Sequence, residues 1–149
     1  MARFNFRLQT LRRLREIHRD EQRGRLATAY EAERILEGQR ESVVVETAAL
    51  VDSQRQLMQQ GSLDVNGLLT SHRYRMELEA QLRALAAQAA NLAEEVERRR
   101  QTLVEADREV RVLDKLEERK QQQHREASLR AETKVLDEVA STRWEAIEL

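Results

Sequence analysis

The sequence predicts an all-α protein, a long two-helix antiparallel coiled-coil hairpin with an overhanging C-terminal helix. Three observations carry that prediction. From Leu78 to Leu113 the apolar residues recur at alternating steps of four and three, through Leu82, Leu85, Ala89, Leu92, Val96, Leu103, Ala106 and Val110, with Arg99 as the polar occupant of the row. A repeat averaging about 3.5 residues keeps one narrow stripe turned toward a partner helix, which is the seam of a left-handed coiled coil. The chain has no proline and four glycines. Two of these, Gly61 and Gly67, bracket the stretch Gly61-Ser62-Leu63-Asp64-Val65-Asn66-Gly67, which reads as a turn. The partner helix is therefore expected within the same chain.

Each element follows from this pattern. Helix 1 is expected over about residues 7–58, with seam candidates Leu8, Leu11, Ile17 or His18, Leu26, Ala29, Ala32, Leu36, Val43, Thr47, Leu50 and Leu57. Gly24 and Gly38 inside it cost up to about 1 kcal/mol each relative to alanine and mark softer points, not ends. Val43-Val44-Val45 is locally strand-like but sits between helical stretches. The turn covers about 59–67, and helix 2 about 68–140, so residues 1–149 form a single helical hairpin. A turn centred near Asp64 pairs Leu8 with Lys120. At about 1.5 Å per residue, helix 1 is roughly 75–80 Å long and helix 2 roughly 110 Å. Past Leu113 the ladder slips through Leu116, Lys120 and His124 to Leu129, Leu136, Val139, Trp144 and Ile147. These last residues have no counterpart in helix 1 and read either as contacts for another protein or as a frayed tail.

Composition bounds the chemistry. With 36% charged and 3% aromatic residues in 149, the chain has little material for a thick core or an enclosed small-molecule site. The absence of cysteine excludes disulfides and thiolate metal sites. No window approaches the roughly 18 apolar residues of a membrane span, and the start lacks the apolar core of a secretory signal, so a cytoplasmic location is expected. No glycine loop followed by Lys and Ser/Thr is present to cradle phosphates. His18, His72 and His124 have no partner at metal-ligand spacing. Carboxylates on a convex two-helix surface lack the cleft that acid–base catalysis needs. The expectation is no catalytic residue, no cofactor and no metal. Arg99, in the seam, is read as a register-fixing residue or a partner contact.

Charge is uneven. Residues 1–25 hold eight arginines against Glu16, Asp20 and Glu21, a net of +5, whereas residues 26–97 hold six basic and twelve acidic residues, a net of −6. Arginine at a helix N-terminus opposes the helix dipole, so this basic start does not serve helix stability. Within it, residues 1–15 carry Arg3, Arg7, Arg12, Arg13 and Arg15 with no acid, beside Phe4, Phe6, Leu8, Leu11 and Leu14, a pattern shared with transit peptides and membrane-surface helices that here runs on into the rest of helix 1. The arginines also suit nucleic-acid binding, although Phe4 and Phe6 are the only aromatics nearby.

The opening Phe4-Asn5-Phe6-Arg7-Leu8-Gln9-Thr10-Leu11-Arg12-Arg13-Leu14-Arg15-Glu16 resembles the start of FliJ-family proteins of the bacterial flagellar export apparatus. The late segment Val112-Leu113-Asp114-Lys115-Leu116-Glu117-Glu118-Arg119-Lys120, then Glu132 and Leu136-Asp137-Glu138-Val139-Ala140, is similar to that family's C-terminal pattern. The related stalk protein of virulence-type secretion systems shares the architecture. The resemblance implies a non-enzymatic coiled coil like the central stalk of rotary ATPases. Its open end would engage the hexameric flagellar export ATPase, and its hairpin the cytoplasmic region of the export gate FlhA. Export chaperones without cargo are further implied partners, with peripheral membrane association through the apparatus alone and no nucleic acid. By position, ring contacts are expected at Phe4, Phe6, Leu8, Leu11, Leu136, Val139 and Trp144. Gate contacts are expected at Leu50, Gln54, Tyr74 and Leu78, although plain seam packing suits Leu50 and Leu78 equally. The alternative function is a generic coiled-coil scaffold or adaptor that oligomerises through the heptad seam.

Overall fold

A computed structural model describes residues 4–61 and 64–147, with side chains through residue 143. Two α-helices fill it: α1, Gln9–Gln59, and α2, Val65–Ile147. They pack against each other, and no strand occurs among the described residues.

Local chemistry sets the boundaries. The chain enters α1 through a turn in which the Gln9 amide donates to the Phe6 carbonyl at 3.1 Å and the Arg12 amide to the Leu8 carbonyl at 2.9 Å. At the far end Gly61 adopts a φ of +76°, the left-handed conformation that stops a helix and that only glycine takes cheaply. Asp64 then caps α2. Its carbonyl accepts the Leu68 amide at 3.0 Å and its carboxylate accepts the Asn66 amide at 3.1 Å. A Cβ on Gly67 would stand 2.8 Å from the Asp64 carboxylate, so glycine there makes room for the cap. Because Asp64 caps it, α2 starts at Val65, three residues before the expected Leu68. It also runs past the expected end at Ala140 to Ile147, since no proline or glycine follows to stop it.

Packing divides the chain into two compact units, Gln22–Leu103 and Met1–Glu21 with Val104–Leu149. In the first, the seam is apolar. Leu78 is 1% exposed and Ala29 3%, and Leu26, Leu36, Val43, Leu82, Leu85, Leu92, Val96 and Leu103 are half-buried. Complete burial of a leucine, as at Leu78, contributes about 1.5–3 kcal/mol, and the half-buried members contribute less each. Val43-Val44-Val45 is helical, since neighbouring turns override its local strand preference. Leu57, an expected seam residue, is exposed, as is Ala89. Arg99 crosses the seam: its Nη1 donates to the Arg25 carbonyl at 2.7 Å and its Nε to Glu95 at 2.7 Å. Gln54 donates to Ser71 Oγ at 2.7 Å, and the Tyr74 hydroxyl donates to Glu46. These pairings show antiparallel helices. They sit several residues away from the register of a turn centred on Asp64, because α1 ends at Gln59 and α2 begins at Val65, which moves the turn centre back.

The second unit is built differently. Ala106, Val110, Leu113 and Phe6 are buried. On α1, however, Arg12, Glu16 and Arg19 are half-buried where Leu11 and Ile17 were expected to pack, and both apolar residues are exposed. Arg12 explains the inversion. Its Nη1 donates to Glu117 at 2.6 Å, while its Nε lies 2.8 Å from Asp114 and 3.5 Å from Glu16. The Asp114 contact is off the N–H line and acts as an ion pair only. Arg15 pairs with Glu109 at 2.9 Å. Carboxylates on α2 thus draw Arg12 inward, and its apolar neighbours turn outward.

Candidate functional site

In the unit that holds both ends of the chain, the segment before α1 lies in a groove of α2 lined by Phe4, Phe6, Leu8, Leu116, Lys120 and His124. Phe6 is 8% exposed, so it anchors the segment and is closed to a partner while it stays seated. The Phe4 ring sits tilted against His124, with centroids 5.7 Å apart. Leu8 and Lys120 line the same groove, and Leu8 remains partly open at the rim.

A second groove continues along α2 between Phe4 and Gln121, His124, Arg125, Ser128, Leu129 and Glu132. Beyond it Leu129, Leu136 and Val139 are exposed, Leu136 at 68%. Steps of seven and three keep these three on one helix face. Phe4, Phe6 and Leu8 are therefore brought together, whereas Leu136 and Val139 lie further along α2 and Leu11 faces solvent on α1. The side chain of Trp144 lies outside the described residues.

The turn-side residues have internal partners. Leu78 is closed within the seam, which corrects its placement as a surface contact, and Leu50 is half-buried. Gln54 and Tyr74 are held by Ser71 and Glu46, yet their outer edges remain accessible. The bond to Glu46, more than burial or charge, holds the Tyr74 hydroxyl above its ordinary acidity value of 10.0. Hydrogen bonds from Arg99 first and Arg98 second hold Glu95 below its ordinary 4.5.

The pattern missed two sets of residues. Arg12, Asp114 and Glu117 form the ionic hub, and Leu14 and Ile17 form an outward apolar row. The signal for the hub was available, because Asp114 and Glu117 fall beside the end of the α2 ladder while arginines recur at helical spacing on α1.

No group of three histidine, aspartate or glutamate side chains that could hold a metal occurs among the described residues. No described helix is long and apolar enough to cross a membrane. What the surface offers is a partly filled groove that runs into an uncovered apolar row. That combination, on two long helices packed against each other, defines a helical-hairpin protein of the coiled-coil kind. Residues 4–146 match the family described as Flagellar FliJ protein, and the chain belongs to the FliJ family, a component of flagellar protein export. No curated protein and no solved structure matches the chain.

Proposed function

We propose that this chain is a non-enzymatic stalk of the flagellar type III export apparatus, acting in the cytoplasm at the inner face of the membrane. Its open end engages the hexameric export ATPase and biases ring assembly and hydrolysis. Its turn end engages the cytoplasmic region of the export gate FlhA, and export chaperones are further partners. Membership of the family over residues 4–146 carries the reading. The exposed row Leu129, Leu136 and Val139, continuous with a groove that already accepts Phe4, supports the choice of end.

An asymmetric two-helix end can touch successive ring subunits unequally, which is what a stalk requires of its contact surface. The remaining ring contacts are Leu8 at the groove's rim, Leu11 on the open face of α1, Trp144, and Phe6, which must leave its seat in the groove to reach the ring. At the other end, Leu50, Gln54 and Tyr74 offer mixed apolar and polar edges. Co-purification of tagged protein with the export ATPase and with the isolated gate domain of the same organism tests both halves. Capture of the ATPase lost on Leu136→Glu, and capture of the gate domain lost on Gln54→Ala with Tyr74→Ala, is expected. Retention of both by both variants would refute the assignment of ends.

A further inference from the structure

The first turns of α1 sort their arginines into two sets. Arg12, Arg15 and Arg19 are committed to Asp114 and Glu117, to Glu109, and to Asp20. Arg13 on α1, and Arg7, which precedes α1 and also lines the groove with Phe6 and Leu8, are exposed and carry no ion pair with another described residue. Between and beside them Leu11, Leu14 and Ile17 recur at steps of three, with Leu14 58% and Ile17 49% exposed. Side chains three apart are neighbours on a helix, so this is one continuous apolar row on the side away from Arg12. Thr10 extends it without charge, and the exposed acids Asp20 and Glu21, three and four residues beyond Ile17, end it.

We propose that this outward face of α1 docks on an anionic lipid surface. The proposal does not rest on the export reading and goes beyond it, since there the membrane is reached only through other proteins. The chemistry is that of an interfacial helix: leucine and isoleucine enter the boundary between headgroups and acyl chains, while flanking arginines extend their stems along it and place guanidinium groups on phosphates. Charge complementarity selects the occupant, because the unpaired arginines near the row are cationic, Glu16 is drawn to Arg12 on the other side of the helix, and the exposed acids Asp20 and Glu21 lie past the row's end. Exposed apolar side chains favour lipid over nucleic acid, which would need stacking groups or a polar face. The charged side of the helix, which an isolated interfacial helix would leave to water, is satisfied here by α2. The face is therefore preformed on a paired unit and needs no folding on the membrane. With three apolar side chains and two cations, binding is weak and reversible.

Flotation of the full-length protein with vesicles tests this. Vesicles of mixed phosphatidylglycerol and phosphatidylcholine are compared with pure phosphatidylcholine at low and high salt. Binding to the anionic vesicles alone, weakened by salt, is expected. Each arginine near such a surface changes affinity about fivefold, so Arg7→Glu with Arg13→Glu should weaken binding by more than about 25-fold. Leu14→Ser with Ile17→Ser should also weaken it with circular dichroism unchanged, and Arg40→Glu with Arg55→Glu should leave it intact. Equal binding to both vesicle types, no binding by folded protein, or equal loss in the Arg40 and Arg55 variant would each overturn the proposal. So would binding of a polyanion such as RNA or polyglutamate in the absence of vesicle binding.

Discussion

Replacing Arg12 by alanine is the sharpest perturbation of the unit that holds the chain ends. The side chain is 28% exposed, and its guanidinium faces Glu117 at 2.6 Å, Asp114 at 2.8 Å and Glu16 at 3.5 Å. An exposed ion pair is worth about 0.2–1 kcal/mol, whereas a hydrogen bond to a charged group shielded from water is worth about 1.5–3. Asp114 and Glu117 are themselves partly open, at 39% and 26%, so the lower part of that range applies, and removal of the cation also leaves two carboxylates side by side. A loss of about 2 kcal/mol in local pairing is expected. It should speed amide exchange by about 30-fold in residues 9–21 and 104–120, if those segments open together. Residues 78–96, held by an apolar seam, should not change. A double-mutant cycle with Glu117→Ala should return a coupling of about 1 kcal/mol or more that shrinks at high salt. A coupling near zero, or exchange that rises equally along both helices, would refute the ionic account of this pairing.

Other substitutions probe separate parts of the account. Leu78→Ala should cost about 2–5 kcal/mol by opening a cavity in the seam, read as a lower midpoint of thermal unfolding. Gly61→Ala should cost about 1–2 kcal/mol, because a Cβ is strained at a φ of +76°, and Asp64→Ala should cost about 1 kcal/mol through loss of the cap; chemical denaturation checks both. Tyr74 has a raised folded pKa, so its bond to Glu46 contributes to pairing below the ordinary value of 10.0 and is lost as pH rises through the folded value. In a Tyr30→Phe background, tyrosinate absorbance should titrate later than in the unfolded chain, and Glu46→Gln should bring it back.

The sequence was most legible where burial alone chooses the residue type. The ladder from Leu78 to Leu113 is the seam, because a helix with apolar residues at four and three has no other way to cover them, and small Ala89 is its one exposed apolar member. The rule failed at Leu11 and Ile17. There the opposing surface carries Asp114 and Glu117, so electrostatic attraction draws Arg12 inward and reverses which side of α1 packs. Apolar periodicity reads one helix at a time and cannot register a charge on the other. Asp64 illustrates a different loss. It lies within the expected turn, and because an acid just ahead of Leu68 and Leu69 caps the helix, α2 starts three residues before the point that apolar spacing alone marks. Of the candidate contacts, Leu136 and Val139 were readable because a slipping ladder leaves apolar residues with nothing opposite. Leu78 was legible as the first rung of the seam, and its alternative placement at the gate rested on position along the helix, which does not say which side is covered.

The central claim is that the open end of this chain works on the export ATPase. Hydrolysis of ATP by that enzyme from the same organism, measured alone, with the full chain, and with a chain carrying Leu136→Glu and Val139→Glu, tests it most directly. Stimulation by the full chain that disappears in the variant, with helicity unchanged, is the expected result. No stimulation by either form would contradict the stalk reading and leave a coiled-coil scaffold in its place.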